Sequence, residues 1–559
     1  MNETRSSLCN ARLTYSPKLP FALREGANRV RIEKGHATSP VSNEDQISKL
    51  FPVTCGAPVV HMERNDATLS KPLKVGVLLS GGQAPGGHNV ISGIFDGVKS
   101  IRNDSRVIGF LNGPSGLIDG DFREITSEFL SDFRNVGGFD IIGSGRTKIE
   151  TDEQFAKCAK TVRSAQLDCV FIIGGDDSNT NAALLAEYFV ANDVFCSVIG
   201  CPKTIDGDLK NYYIETPFGF DTASKTYAQL IGNIARDANS AKKYWHFIKI
   251  MGRSASHIGL EVGLQTQPNI CLISEEVESK GMTLAQVVTQ FADVVEARAT
   301  SGKNFGIAII PEGLLEFIPE FKKLIAELND GLVELVDELE ELPQIHDKVI
   351  RICDYLSPKS SNLLADLPST IQMQLLLERD PHGNVQVSLI ETEKLLIELV
   401  DNELRHRPSY TGKFKAIAHF FGYEGRCAHP SNFDSDYAYS LGYSASILAK
   451  GGFTGYMASI SNLADGVDNW QACGIPTSML MTIERRHGKD KPVIQKALVD
   501  LDGKAFLQFK SKRDKWAISE SYIYPGSIQY YGPPELSDSV TQTLKIDAQA
   551  RQIKQLQAK

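Results

Sequence analysis

Two adjacent carboxylates, Asp176 and Asp177, follow a glycine pair in Ile173-Gly174-Gly175-Asp176-Asp177-Ser178-Asn179. The stretch joins an apolar run to a helical pattern. Glycines there let backbone amides approach an anion, and a helix start adds partial positive charge. Two carboxylates beside an anion would repel it unless a cation intervened. Mg2+, a hard ion that takes carboxylate and phosphate oxygens together, resolves the conflict. The plainer alternative is that Asp177 or Ser178 caps the helix, which needs only one side chain.

Two further clusters have the same setting. Gly81-Gly82-Gln83-Ala84-Pro85-Gly86-Gly87 also lies between a strand and a helix. It lacks the G-K-[ST] ending of a Walker motif and is not G-x-G-x-x-G, so by itself it reads equally as an anion cradle or a tight turn. Pro202-Lys203-Thr204-Ile205-Asp206-Gly207-Asp208 follows an apolar run ending at Gly200. A surface turn explains Asp-Gly-Asp alone, but not its place after a strand. Strand ends of an open parallel sheet line its crevice. Glycines, aspartates and a lysine converging there suit phosphoryl transfer, which needs Mg2+, cations on the phosphates and one base near the acceptor hydroxyl.

The elements that must position these loops are short apolar runs alternating with helical patterns. Strands are expected at Lys74 to Leu79, Val107 to Leu111, Cys169 to Ile173, Phe195 to Gly200, Trp245 to Ile250 and Phe305 to Ile310. Helices are expected at Asn89 to Arg102, Thr180 to Asn192 and Leu284 to Thr300. This βαβ repetition predicts an α/β fold with parallel sheets covered on both faces. Residues 1–70, broken by Pro17, Pro20, Pro40, Pro52 and Pro58, read as an N-terminal extension wrapped on the body. It is helical around Glu44 to Phe51, and regular structure begins at Lys74. A first α/β domain is expected at 71–215, rejoined by about 427–475, and a second at 216–426. Leu, Ile, Glu and Lys at helical spacing predict a helical insertion at about 314–410 within the second. Its acidic run Glu334 to Glu341 reads as a solvated face rather than a metal site. A C-terminal segment, 476–559, follows, with Leu536 to Lys559 a helix or frayed tail.

Composition removes several classes of function. The net charge of −9 leaves no basic excess for nonspecific nucleic-acid binding. No run approaches the roughly 18 apolar residues of a membrane span, and the first residues lack the apolar core of a secretory signal. The ten cysteines are scattered; the closest pair, Cys196 and Cys201, fits no C-x-x-C site. They read as reduced thiols of a cytoplasmic protein.

The three clusters, together with Met251-Gly252-Arg253, Pro311-Glu312-Gly313 and Tyr423-Glu424-Gly425-Arg426, appear in the order seen in the phosphofructokinases. Over about Lys74 to Leu463 the set resembles the pyrophosphate-dependent members in their long form. The resemblance implies two Rossmann-like domains and reversible, Mg2+-dependent phosphoryl transfer. The group would pass from pyrophosphate to the 1-hydroxyl of fructose 6-phosphate, giving fructose 1,6-bisphosphate and phosphate. It further implies that Asp206 is the general base, with Asp208 beside it and Thr204 and Ile205 against substrate, and that Asp176 holds Mg2+. Gly82 would contact the donor, and Arg146 would reach donor phosphates. Met251, Gly252 and Arg253 would bind the sugar phosphate, with Arg253 also stabilising transferring charge. Glu312 would accept sugar hydroxyls, and Tyr423, Glu424, Gly425 and Arg426 would grip the substrate. Lys243 and Tyr244 would reach a neighbouring subunit's site, implying a homodimer or larger oligomer.

ATP-dependent relatives usually carry glycine where this chain has Asp177 and Lys203, and some of them keep the lysine. A carboxylate at the first position fills the space of a nucleotide α-phosphate and repels it, while Lys203 supplies a cation to a compact pyrophosphate. Three rival readings stand beside this one. The first is an ATP-dependent enzyme that tolerates Asp177. The second is a noncatalytic regulatory subunit, which would be expected to lose the aspartates kept here. The third is an NAD-binding dehydrogenase, for which the dinucleotide fingerprint is missing.

Overall fold

The computed structural model describes residues 6–377, 385–486 and 489–527. The expected helix or tail at Leu536 to Lys559 lies outside the described residues. Strands are numbered along the chain: β1 Val30–Ala37, β2 Pro58–Arg64, β3 Lys74–Leu79, β4 Arg106–Phe110, β5 Phe122–Ile125, β6 Cys169–Gly174, β7 Ser197–Thr204, β8 Phe218–Gly219, β9 Trp245–Ile250, β10 Ile270–Cys271, β11 Gly306–Pro311, β12 Ala416–Phe421, β13 Tyr456–Ser461, β14 Gln471–Pro476, β15 Met481–Arg486 and β16 Lys489–Ile494.

Two sheets carry the molecule. The larger runs in the order β1-β2-β14-β13-β7-β6-β3-β4-β5, with β8 pairing β7. Its centre, from β13 to β4, is parallel; β14, β2, β1 and β5 flank it as antiparallel strands. The smaller sheet, β10-β11-β9-β12, is parallel throughout. Alternate residues of β3 and β6 face opposite cores. Val75, Val77, Phe171 and Ile173 pack on one side, and Leu78, Val170 and Ile172 on the other. Burial on both faces explains why these strands read as unbroken apolar runs. In the smaller sheet, Ile248, Ile250, Ile307 and Ile309 join the core of the larger one. Phe247, Ala308 and Ile310 instead pack under the helices between Leu314 and Arg405.

The expectation that regular structure begins at Lys74 is corrected. Residues 30–64 supply β1 and β2, which extend the larger sheet. The prolines punctuate these strands without abolishing them: Pro40 and Pro52 lie between them, and Pro58 opens β2, where a missing amide is tolerated. The helix expected near Glu44 to Phe51 is present at Glu44–Leu50. A second correction concerns β7, which runs on to Thr204, so Lys203 belongs to the strand and not to the loop after it. No described helix is long and apolar enough to cross a membrane, and all ten cysteines are free thiols.

Helices Gly87–Ile101 and Asn432–Lys450 cover the larger sheet in backbone contact with each other, and glycines permit the approach. A Cβ on Gly442 would lie 2.0 Å from the carbonyl oxygen of Val90, and one on Gly93 would lie 2.0 Å from that of Tyr439. Backbone cannot give way as a side-chain tip can, so Gly442→Ala is expected to cost about 3 kcal/mol of stability. Urea unfolding followed by circular dichroism measures this, with Gly442→Ser expected to cost at least as much.

Candidate active site

The three glycine–acid clusters fall at the carboxyl ends of β3, β6 and β7, neighbours in the parallel centre of the larger sheet. Met251-Gly252-Arg253, Glu312 and Gly422 to Arg426 follow β9, β11 and β12, so they occupy the same end of the smaller sheet. The two groups face each other. Arg426 Nη2 lies 3.9 Å from Asp206 Oδ1, and the side chain of His257 sits 3.0–3.3 Å from where a Cβ of Gly207 would stand.

Cations gather over the first glycine loop. Gly81 takes φ +84°, and its amide donates to the Gly145 carbonyl at 2.9 Å, which brings Arg146 alongside. A Cβ at Gly82 would meet Arg426 Nη1 at 2.6 Å and Arg146 Nη2 at 3.7 Å, and one at Gly81 would meet Lys203 Nζ at 3.3 Å. Glycine here leaves an uncovered backbone beneath three positive side chains, an arrangement made for an anion. Burial pushes the Lys203 ammonium down to about 8, with Arg426 adding to the shift and Asp206, Asp208 and Asp176 opposing it.

The acids surround the same lysine. Asp206 Oδ1 is buried and accepts no hydrogen bond, while the Asp206 amide donates to Thr204 Oγ1 at 3.0 Å. Ile205 beside it is core. Asp208 is pushed up to about 7, chiefly by burial and then by the charges of Asp206 and Asp176. Among the described residues no cluster of three or more His, Cys, Asp or Glu could hold a metal unaided. Magnesium, however, is commonly held by one or two carboxylates with waters and substrate phosphates completing its shell. The mutual repulsion of Asp176, Asp206 and Asp208 fits such a cation.

The capping alternative for Asp177 and Ser178 is corrected. Helix Asp176–Ala191 begins earlier than its apolar period indicates, with Gly175 as N-cap and no side-chain cap. Ser178 Oγ donates to Ser80 Oγ at 2.8 Å, and Asp177 Oδ2 lies 3.4 Å from Lys148 Nζ.

On the opposite wall, Gly252 takes φ +121°, which favours glycine, and its amide donates to Glu312 Oε2 at 3.1 Å. Burial raises Glu312 to about 7, helped by Asp206. Arg253 Nε lies 3.7 Å from Glu316 Oε1. Arg426 Nε donates to Met251 Sδ at 3.2 Å, tying the β12 loop to the β9 loop. Glu424 turns back to accept the Gly422 amide at 2.7 Å. Gly425 stacks against Tyr227, whose hydroxyl donates to the Gly422 carbonyl at 2.5 Å. Tyr423 is mostly exposed. Lys243 and Tyr244 stand apart from these residues, at the opposite end of β9, about 20 Å along the strand.

Three charged residues beside the site escaped sequence reasoning: Lys148, Glu316 and Lys496. Lys496, after β16, places Nζ 3.8 Å from Asp176 Oδ2 and donates to Ser254 Oγ at 2.9 Å. Its neighbourhood in sequence, Val493-Ile-Gln-Lys496-Ala-Leu, has no glycine cluster or acid to mark it.

Residues 74–356 match the family described as phosphofructokinase. The chain is 53% identical over 558 residues to the pyrophosphate–fructose 6-phosphate 1-phosphotransferase of Treponema pallidum (98% of this chain, 97% of the relative). It is 52% identical over 551 residues to that of Porphyromonas gingivalis (98% and 100%), and 50% identical over 548 residues to the subunit beta of Solanum tuberosum (97% and 94%). Among solved structures, the pyrophosphate-dependent phosphofructokinase of Marinobacter aquaeolei superposes with a TM-score of 0.52 at 15% identity, over 80% of this chain and 93% of that one. The chain belongs to the phosphofructokinase family.

Proposed function

We propose that this chain reversibly transfers a phosphoryl group from inorganic pyrophosphate to the 1-hydroxyl of fructose 6-phosphate, yielding fructose 1,6-bisphosphate and phosphate. The observation that carries this reading is the identity of about half of all residues, over nearly the whole chain, with relatives named for that reaction. The cationic cradle over Gly81 and Gly82 supports it, because a small polyanion is what such a cradle suits.

In this reading Asp206 takes the proton of the 1-hydroxyl on its buried Oδ1, and Asp208 lies beside it on the same loop. Asp176 holds Mg2+, which supplies charge neutralisation to the transferring phosphoryl group. Lys203, Arg146 and the Gly82 backbone bind the donor. Arg253 steadies the group in transit, and Met251, Gly252, Glu312 and Tyr423 to Arg426 orient the sugar phosphate. The sheet edges supply positioning, and the cations are preorganised where charge moves. Lys243 and Tyr244 complete a neighbouring chain's site, so the working unit is a dimer or larger. The pyrophosphate domain comprises 71–215 with 427–475, and the sugar-phosphate domain 216–426. The enzyme is cytoplasmic, as ten unpaired thiols suit a reducing compartment.

The test is a coupled assay of purified protein with fructose 6-phosphate and Mg2+, comparing pyrophosphate with ATP. Turnover with pyrophosphate is expected; turnover with ATP alone, or with neither, refutes the reading. Arg426→Ala and Arg253→Ala are each expected to raise the apparent KM for fructose 6-phosphate. Each loses a charge-assisted bond of about 2 kcal/mol, or roughly thirtyfold. Arg253→Ala should in addition lower kcat. Unchanged sugar kinetics in both variants sinks the assignment.

A further inference from the structure

Most of the predicted crevice residues lie at the ends of parallel strands or in the loops that follow, and Lys496 does not. It belongs to a strap, residues 494–499, that leaves the β15–β16 hairpin and passes between the two sheets. The strap is stitched to both sides. On the larger-sheet side the Ile494 amide donates to Thr180 Oγ1 at 3.3 Å, and the Ala497 amide donates to the carbonyl of Asp208 at 2.8 Å. Toward the smaller sheet, His257 Nε2 meets the Ala497 carbonyl at 2.9 Å, and the Val499 amide donates to Glu275 Oε1 at 3.0 Å. The backbone on either side of Lys496 is therefore fixed to both walls.

The side chain carries three N–H donors. One is used on Ser254 Oγ, next to Arg253; Asp176 Oδ2 lies at 3.8 Å, beyond hydrogen-bond reach; and 35% of the side chain stays open. Its charge draws the Asp208 and Glu316 carboxyls down against the burial that raises them. Lys203 and Arg146 stand over Gly81 and Gly82, whereas Lys496 stands at Asp176 with donors to spare.

We propose that Lys496 is a further donor-binding residue, a cation that the C-terminal strap delivers to the phosphate oxygens of pyrophosphate beside Asp176. The inference rests on the pyrophosphate-dependent reading above and adds to it a residue from outside the strand-end loops. Because the strap is anchored to both walls, it also makes donor binding sensitive to how the two sheets are set against each other.

Lys496→Met keeps the length of the stem and removes the charge, and Lys496→Arg keeps the charge. Calorimetry with magnesium imidodiphosphate, a donor analogue that is not turned over, is expected to show at least about tenfold weaker binding in Lys496→Met. Lys496→Arg should recover most of it, and fructose 6-phosphate affinity should stay within about twofold of the parent in both. kcat/KM for pyrophosphate should fall in parallel. Donor-analogue affinity unchanged in Lys496→Met overturns the proposal, whether or not the melting temperature falls. A lower magnesium requirement with unchanged donor affinity also overturns it, because Lys496 would then be only a counter-ion of Asp176. Should Lys496→Met lose its fold, Lys496→Gln supplies the neutral side chain for the same titration. Failure of the parent enzyme to use pyrophosphate overturns the functional reading instead, and is seen before any variant is made.

Discussion

Asp206→Ala is expected to lower kcat at least about a hundredfold while fructose 6-phosphate still binds, the pattern for loss of a general base. The surroundings of Asp206 give the reason. Its Oδ1 is buried without a hydrogen bond, so that oxygen has no bond to break before taking a proton. Arg426 at 3.9 Å is too distant to occupy it. Asp206→Asn keeps the shape and loses the basicity, and it should fall as far as Asp206→Ala. Steady-state kinetics with calorimetry of fructose 6-phosphate binding separate the two effects. A loss smaller than about tenfold removes Asp206 from the role of base.

The donor preference gives the second large effect. Asp177→Gly is expected to improve use of ATP and weaken use of pyrophosphate. On the proposed reading the carboxylate fills and charges the space a nucleotide α-phosphate would need, and repulsion of this kind in a partly buried site amounts to a few kcal/mol. Because the cap of its helix is Gly175, Asp177 owes its place to something other than capping. Its loss removes the dipole effect of a first-turn acid, roughly 0.5 kcal/mol, and a half-exposed ion pair with Lys148 of about the same size. A small shift in melting temperature with a large shift in donor ratio is therefore expected. Lys203→Gly should mainly damage pyrophosphate use, because it strips the buried cation from among Asp176, Asp206 and Asp208 without making room for a nucleotide. Kinetics of both variants with both donors decide the matter. A fixed donor ratio in Asp177→Gly discards the selectivity argument.

What could be read from the sequence follows from where burial leaves a mark. β3, β6 and β7 are covered on both faces, so they appear as apolar runs, and the glycines and acids that end them appear as clusters. The crevice-lining loops were legible for that reason. β1 was not, because most of its residues are exposed and the strand is held mainly by pairing to β2. β12 is a half-exposed edge strand, Ala416-Ile-Ala-His-Phe-Phe, without clean alternation. The start of helix Asp176–Ala191 was placed late because Asp176 to Asn179 are polar, and the helical period becomes visible only from Thr180. Lys496 had no local signature at all; only the passage of the strap between the sheets puts it next to Asp176.

The order of strands in the larger sheet has a consequence for how the chain is made. β2 pairs with β14, through His61 with Cys473 and Val60 with Gly474, and β14 pairs with β13. The β1–β2 pair is made roughly 400 residues before β14, the strand it joins, is complete, and until then β2 lacks that partner strand. At a synthesis rate of about 5–20 residues per second, that is a wait on the order of half a minute. During it, β2 and β7 each present an unpaired edge, the feature that invites mispairing between chains. Nascent copies on one message are thus exposed to one another through these edges throughout that wait. Completion of the carboxyl-terminal strands, rather than formation of the central ones, closes that window.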